Sequence, residues 1–362
     1  MLLDIVRFAA AIGVVVTHSG EPHFNTGWQS RPIFGSLAVP VFFVLSGFVI
    51  RYVTRTREDT LSEYFIDRAS RIYSVVLPAM ALTLLFSLFS YLFDKQHFTQ
   101  QWSQYFDHPL FRILFNVIFL SQAWGHNTIP FTNIPYWSLG YECIYYVFYG
   151  FLFFLRGWKQ AVACLVVALV IGPQVIFLLP IWWLGCWMYD AYHWARTKRS
   201  YQIAAASILI LWTVLSFFFC ILGSKRVLSA PMDLIWTIAK LQNPLSLLGI
   251  PVRRATMFAV GTGVMSAIIL FLVLLAVEPI QIATRTRWAK AVRRIADGTF
   301  VIYLIHYPIL VFATYAKLLR YDQAARNFLV VTLIVLFLVA LAGPLDALKR
   351  QMRRWLRAVV PG

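Results

Sequence analysis

Long apolar stretches separated by short basic segments run the length of this chain. They cover residues 5–19, 35–50, 74–93, 136–155, 160–179, 181–193, 202–223, 257–277, 299–318 and 327–347. A helix needs about 20 predominantly apolar residues to cross the hydrocarbon core of a bilayer. The pattern therefore predicts an all-α fold, a polytopic membrane helix bundle of about ten transmembrane helices in one domain, residues 1–362. The stretch 181–193 is short, so it is expected to thin the membrane or to line a cavity. One further run, 109–123, reads equally as a span or as a buried loop segment.

Basic residues decide that ambiguity, because loops on the cytoplasmic side carry the excess of Lys and Arg. Arg51, Arg55, Arg57, Arg68 and Arg71 lie between the second and third stretches, which places that loop and the N-terminus in the cytoplasm. Later come Arg156/Lys159, Arg196/Lys198/Arg199, the block Arg285 to Arg294 and the tail Lys349 to Arg357. If 109–123 crossed, all four groups would face outward; if it does not, all four face inward. The second arrangement gives ten spans with both termini cytoplasmic, and 109–123 becomes a re-entrant or interfacial piece of a long outer loop, 94–135. Only Lys225/Arg226 and Arg253/Arg254 then sit on an outer loop. No basic region precedes the first stretch and no convincing cleavage site follows it, so an uncleaved first span is expected.

Composition agrees with a membrane protein. The chain is 60% hydrophobic and 13% charged, where a soluble protein carries about 25% charged residues. Its mean hydropathy is +0.70. The net charge of +17 invites a nucleic-acid reading, but the cations cluster between apolar runs, as expected of loops facing anionic headgroups. A nucleic-acid partner is therefore excluded, and the lipid bilayer is the expected surround. Cys143, Cys164, Cys186 and Cys220 all lie in apolar segments without metal-ligand spacing, so no metal site is expected.

The informative residues are the polar ones inside the spans, since an ionisable group there needs a partner or a cavity. Arg7 and His18 are eleven positions apart, which returns them to one helix face about 16 Å apart along the axis. Asp4 lies close to Arg7 on the same stripe. Arg68 and Arg71, at i and i+3, can present two forked donors to a phosphate-bearing ligand; topology determination with an Asp67–Arg71 helix pair is the simpler reading. Trp137, Ser138 and Glu142 open the fourth span, and Glu142 lies deep enough to need a partner. Thr299, Tyr303 and His306 form a polar stripe on the ninth. Pro40 and Ser46-Gly47-Phe48 in the second span predict a kink and a close backbone approach.

Taken together, these stretches resemble the acyltransferase family 3 of bacterial integral-membrane acyltransferases, which includes carbohydrate O-acetyltransferases. The resemblance rests on Leu3-Asp4-x-x-Arg7 with His18 after ten further residues, Phe42-Phe43-Val44-Leu45-Ser46-Gly47-Phe48, Arg68-x-x-Arg71-Ile72-Tyr73, Trp137-Ser138-Leu139-x-x-Glu142 and Tyr303-Leu304-Ile305-His306. It implies acyl transfer, commonly of acetyl from acetyl-CoA, to a hydroxyl of a glycan or lipid-linked glycan of the cell envelope. It also implies that Arg7 and His18 belong to the active site and that Arg68 and Arg71 hold the acyl-CoA, a co-substrate rather than a resident cofactor. Some relatives carry an extra periplasmic hydrolase-like domain; this chain is expected to end on the cytoplasmic side without one.

A neutral imidazole at His18 can take the proton of an acceptor hydroxyl, and Tyr303, Trp137 or His306 can donate to the thioester oxygen. Glu142 can orient His18 or bind the acceptor. The rival reading is a transporter of a small solute or lipid-linked glycan. Inverted repeats would favour it, and none is visible.

Overall fold

The computed structural model describes residues 1–24, 26–28, 32–57, 60–221, 254–278 and 287–360. Its helices are α1 (Leu2–Ser19), α2 (Pro32–Thr56), α3 (Leu61–Phe93), α4 (Lys95–Trp102), α5 (Pro109–Val117), α6 (Trp137–Phe154) and α7 (Gly157–Ile171). After these come α8 (Pro173–Ala195), α9 (Arg199–Ile221), α10 (Arg254–Val277), α11 (Arg287–Asp297), α12 (Thr299–Tyr315) and α13 (Ala324–Val359). Among the described residues there is no strand. The chain is thus an all-helical, multi-pass membrane protein. Among the described residues six helices are long and apolar enough to cross a bilayer: α1, α3, α8, α13 and the segments Leu37–Thr56 of α2 and Val260–Val277 of α10. The helices α7 and α12 are apolar but shorter. The basic positions 225, 226, 253 and 285 lie outside the described residues.

One boundary differs from the sequence expectation. The break between the fifth and sixth apolar stretches falls at Gly172–Pro173, and Pro180 lies inside α8. Gly172 has φ +76° and closes α7, while Pro173 supplies a fixed helical φ at the first position of α8. A side chain at Gly172 would also meet the ring of Trp124 at 2.9 Å. The resulting α8 has 23 residues, so the short span expected at 181–193 is instead a full-length helix.

The helix α5 has only nine residues, about 13 Å of rise, and cannot cross ~30 Å of hydrocarbon. It belongs to a loop folded into the bundle. Tyr73 of α3 donates to the Val117 carbonyl at 3.1 Å, and Tyr136 donates to that of Asn116 at 3.0 Å. Asn133 donates to the Leu304 carbonyl of α12 at 2.8 Å, and Thr132 meets Ser87 of α3 at 2.9 Å. Irregular backbone is tolerated at such depth only where protein satisfies its polar groups, and these bonds do so.

The helix α1 packs between α2 and α12, while α3 packs against α12 and α13. The tightest crossing joins α2 to α8. A Cβ on Gly47 would lie 2.0 Å from the Trp182 carbonyl oxygen, and one on Gly185 would lie 2.0 Å from that of Val44. The close approach expected at Gly47 is therefore a reciprocal glycine contact between two backbones. It fixes Trp182, whose indole Nε1 donates to Ser46 Oγ at 3.1 Å. Gly47→Ala should destabilise the detergent-solubilised protein by about 3 kcal/mol through overpacking, read as a lower melting temperature. Gly343→Ala, which meets no atom within 4 Å, should not.

Candidate active site

The two polar stripes read from the sequence face each other across α1 and α12. At one end, Arg7 of α1 and Thr299 and Tyr303 of α12 line a cavity of about 70 Å³ with Ser46, Arg71 and Glu142. Arg7 and Arg71 also line an adjoining cavity of about 170 Å³, with Asp297, Asp346 and Lys349. A third, of about 290 Å³, shares Arg71, Glu142 and Tyr146 with the first and opens past Arg68 toward Arg57, Lys349 and Arg353. Arg71 lines all three.

Glu142 sits at the junction of the first and third cavities. Its Oε1 accepts from Ser46 Oγ at 2.6 Å and from the Tyr146 hydroxyl. It lies within electrostatic range of Arg7, as does Arg71. The glycine crossing thus reaches the site through one chain of contacts, from Gly47 and Trp182 through Ser46 to the Glu142 carboxylate. Ser138, a turn earlier on α6, donates to the Tyr303 oxygen at 2.6 Å, and the Tyr303 hydroxyl donates to the Pro135 carbonyl at 3.1 Å.

The other end of the α1–α12 pair holds His18. Its Nδ1 lies 2.5 Å from Glu21 Oε1. Glu21 Oε2 accepts from the Tyr307 hydroxyl at 2.9 Å, and His23 Nε2 donates to the Tyr307 oxygen at 3.1 Å. The His18 ring stands 5.1 Å from the Tyr307 ring, edge-on, and 5.4 Å from the His306 ring. Burial alone would raise the Glu21 carboxyl, but the hydrogen bond and charge of His18, the Tyr307 hydroxyl and His23 hold it below its ordinary value. Burial lowers His23 against the opposing pull of Glu21. A carboxylate on His18 Nδ1 fixes the tautomer that leaves Nε2 as the free, basic nitrogen.

His306 is fully buried and its Nδ1 lies 2.9 Å from both the Ile302 and Tyr303 carbonyl oxygens. That nitrogen must carry the proton, so Nε2, buried without a protein partner, is an acceptor. In its neutral form the ring then offers no donor to an oxyanion, the part the sequence suggested for it.

Asp67, Glu142, Asp4 and Trp137 are also placed differently from expectation. Asp67 pairs with Arg353 of α13, with Nη2 to Oδ2 at 2.9 Å, rather than with Arg71. Glu142 does not orient His18; Glu21, three residues along the chain, does. As expected, Arg7 and His18 share a face but sit at opposite ends of it, separated by about 16 Å of helical rise. Asp4 bonds the Met1 amino group at 3.2 Å, and Trp137 packs edge-on against Tyr141; neither lines the three cavities. Among the described residues no cluster of three His, Cys, Asp or Glu side chains is placed to hold a metal ion.

A family model described as an acyltransferase domain matches residues 2–346. The chain belongs to this acyltransferase family. It is 29% identical over 198 residues to an O-acetyl transferase of Shigella phage Sf6, covering 49% of this chain and 56% of the relative. It is 24% identical over 341 residues to O-acetyltransferase OatA of Staphylococcus aureus, covering 86% of this chain and 50% of that protein. The exopolysaccharide production protein ExoZ of Rhizobium meliloti is 33% identical over 145 residues, 39% of this chain and 42% of its own. The chain spans about half the length of the curated relatives it matches. No solved structure matches it.

Sequence reasoning about this family member missed Glu21, His23 and Tyr307. The signal for Glu21 was present as a His-x-x-Glu spacing, which places the two side chains on one face. Glu21 lies just beyond the apolar run, where a carboxylate reads as loop. Because its folded pKa is depressed below 4.5, it contributes stability above that value, lost as pH falls through the folded pKa. The melting temperature of Glu21→Gln should therefore lie below the parent's at neutral pH, with the gap closing on acidification below about pH 4.5. The His23 titration, followed by NMR, should move further down in the same variant.

Proposed function

We propose that this member of the acyltransferase family transfers an acetyl group from acetyl-CoA to a hydroxyl of a glycan, or a lipid-linked glycan, in the cytoplasmic membrane of a bacterium. The observation that carries the reading is the Glu21-held His18, aligned through the α1–α12 pair with a cavity lined by Arg7 and Arg71. A base at one end and guanidinium groups at the other match the two demands of the reaction.

Arg68 and Arg71 bind the diphosphate of the donor, with the pantetheine arm running past Tyr303 toward His18. The acceptor hydroxyl donates to His18 Nε2. As its oxygen bonds to the thioester carbonyl carbon, the proton moves to Nε2, and Glu21 stabilises the resulting imidazolium. The tetrahedral intermediate collapses with cleavage of the carbon–sulfur bond. The CoA thiolate then leaves as the thiol with the proton from His18, and the acetyl ester remains on the acceptor. Glu142 offsets the charge of Arg7 and Arg71 where the arm passes.

Ten spans with both termini cytoplasmic supply the two approaches. The mouth at Arg57, Arg68 and Arg353 then faces the cytoplasm, where acyl-CoA is made. His18 lies toward the opposite face, beside the aromatic loop 94–135 through which a glycan enters. Support for a carbohydrate acceptor comes from the name of one relative, the exopolysaccharide production protein ExoZ.

His18→Ala should lower acetyl-CoA-dependent ester formation by about 10²–10⁴-fold with normal amounts of folded protein in the membrane. Retention of most of the turnover would refute the base assignment. Arg68→Gln with Arg71→Gln should raise KM for acetyl-CoA far more than KM for the acceptor, and equal effects on both would contradict donor binding there. Single cysteines at the exposed positions 126 and 127 should react with an impermeant thiol reagent on intact cells, and those at the exposed positions 293 and 294 only after the membrane is opened.

A further inference from the structure

The last helix crosses the bundle and then continues beside the start of α3, where the two are tied by ion pairs one turn apart. Arg357 Nη2 lies 2.6 Å from Glu63 Oε2, and Arg353 bonds Asp67 through Nη2 at 2.9 Å, with Nε 2.6 Å from Oδ1. Only the second pair faces the cavity of about 290 Å³. That cavity is lined by five cations, Arg57, Arg68, Arg71, Lys349 and Arg353, and two carboxylates, Asp67 and Glu142. It carries a surplus of positive charge suited to a ligand with several phosphates.

The cations are ordered along the way from Tyr303. Arg71 lines the cavity that holds Tyr303 as well as this one, whereas Arg353 lines this one and neither of the others. Arg353 therefore stands farther from Tyr303 than Arg71 does. A donor whose thioester reaches inward past Tyr303 has a matching order of groups. Its diphosphate lies closer to the thioester, and the ribose 3′-phosphate lies farther out. With the diphosphate at Arg71 and Arg68, the 3′-phosphate falls at the mouth.

We propose that Arg353, held in the cavity wall by Asp67, binds the ribose 3′-phosphate of the acyl-CoA and is the residue by which this chain prefers CoA to 3′-dephospho-CoA. The proposal rests on the acetyl-CoA reading above. A guanidinium serves because its planar fork meets phosphate bidentately. Asp67 is a positioning residue: it holds Arg353 across the gap between α3 and α13 and leaves guanidinium N–H groups for the phosphate. Arg357 makes the same kind of pair one turn farther out, away from the cavity, and supplies an internal control.

The test compares kcat/KM for acetyl-CoA and for acetyl-3′-dephospho-CoA with purified protein in lipid vesicles. The parent should prefer acetyl-CoA by about tenfold, the size of one charge-assisted phosphate contact. Arg353→Gln should bring the ratio close to one by raising KM for acetyl-CoA while leaving kcat and the dephospho donor nearly unchanged. Arg353→Lys, which keeps the charge and the Asp67 pair, should retain part of the preference. Arg357→Gln should keep all of it. A parent indifferent to the 3′-phosphate, or an Arg353→Gln variant that loses activity equally with both donors, would overturn the assignment while leaving acetyl-CoA as donor. A parent that releases no CoA from acetyl-CoA would overturn the donor reading and this proposal together.

Discussion

Polar groups inside a bilayer must find partners within the protein, because lipid offers none. Everything particular about this structure follows from how that requirement is met between α1 and α12. Each helix is apolar outside and carries one polar stripe, and the stripes are turned toward each other. Arg7, Tyr303, His306 and His18 thereby lie along one seam, backed by Glu142 and Arg71 at one end and by Glu21 and Tyr307 at the other. The neighbours serve that seam: α3 brings Arg68 and Arg71, α6 brings Ser138 and Glu142, and the glycine contact between α2 and α8 holds Ser46 against the Glu142 carboxylate.

The division of the seam explains why two basic residues on one helix do not share a task. About 16 Å separates Arg7 from His18 along α1, too far for both to touch one reacting carbonyl. The long donor proposed above would resolve the difficulty. Its charged end needs guanidinium groups and water at a mouth, and its reactive end needs a neutral base shielded from water. The carboxylate of Glu21 holds the His18 ring in a single tautomer, and the rings of Tyr307 and His306 pack against it.

Much of this was legible in the sequence. Among the described residues the ten apolar stretches fall on helices, one of them interrupted at Gly172, because hydrophobic length is a strong local signal. The non-crossing of 109–123 followed from charge counting and agrees with a nine-residue α5. The break at Gly172 was misplaced to Pro180, since proline is tolerated inside a packed membrane helix while a positive-φ glycine ends one. Pairings between distant elements were not legible. Asp67 had a sequence-near candidate in Arg71, yet its partner Arg353 is 286 residues away. Glu142 was expected either to orient His18 or to bind the acceptor, and the neighbouring Glu21 takes the first of these places.

The central claim is that one path joins the arginine-lined cavities to the Glu21-held His18 along the α1–α12 seam. Electron cryo-microscopy of the full chain in lipid nanodiscs with bound acetyl-CoA tests it most directly. The account predicts density for the diphosphate between Arg68 and Arg71, with the pantetheine arm passing Tyr303 and the thioester ending beside His18 Nε2. A nucleotide seated at the His18 end, or an arm that leaves the bundle without entering the seam, would contradict it.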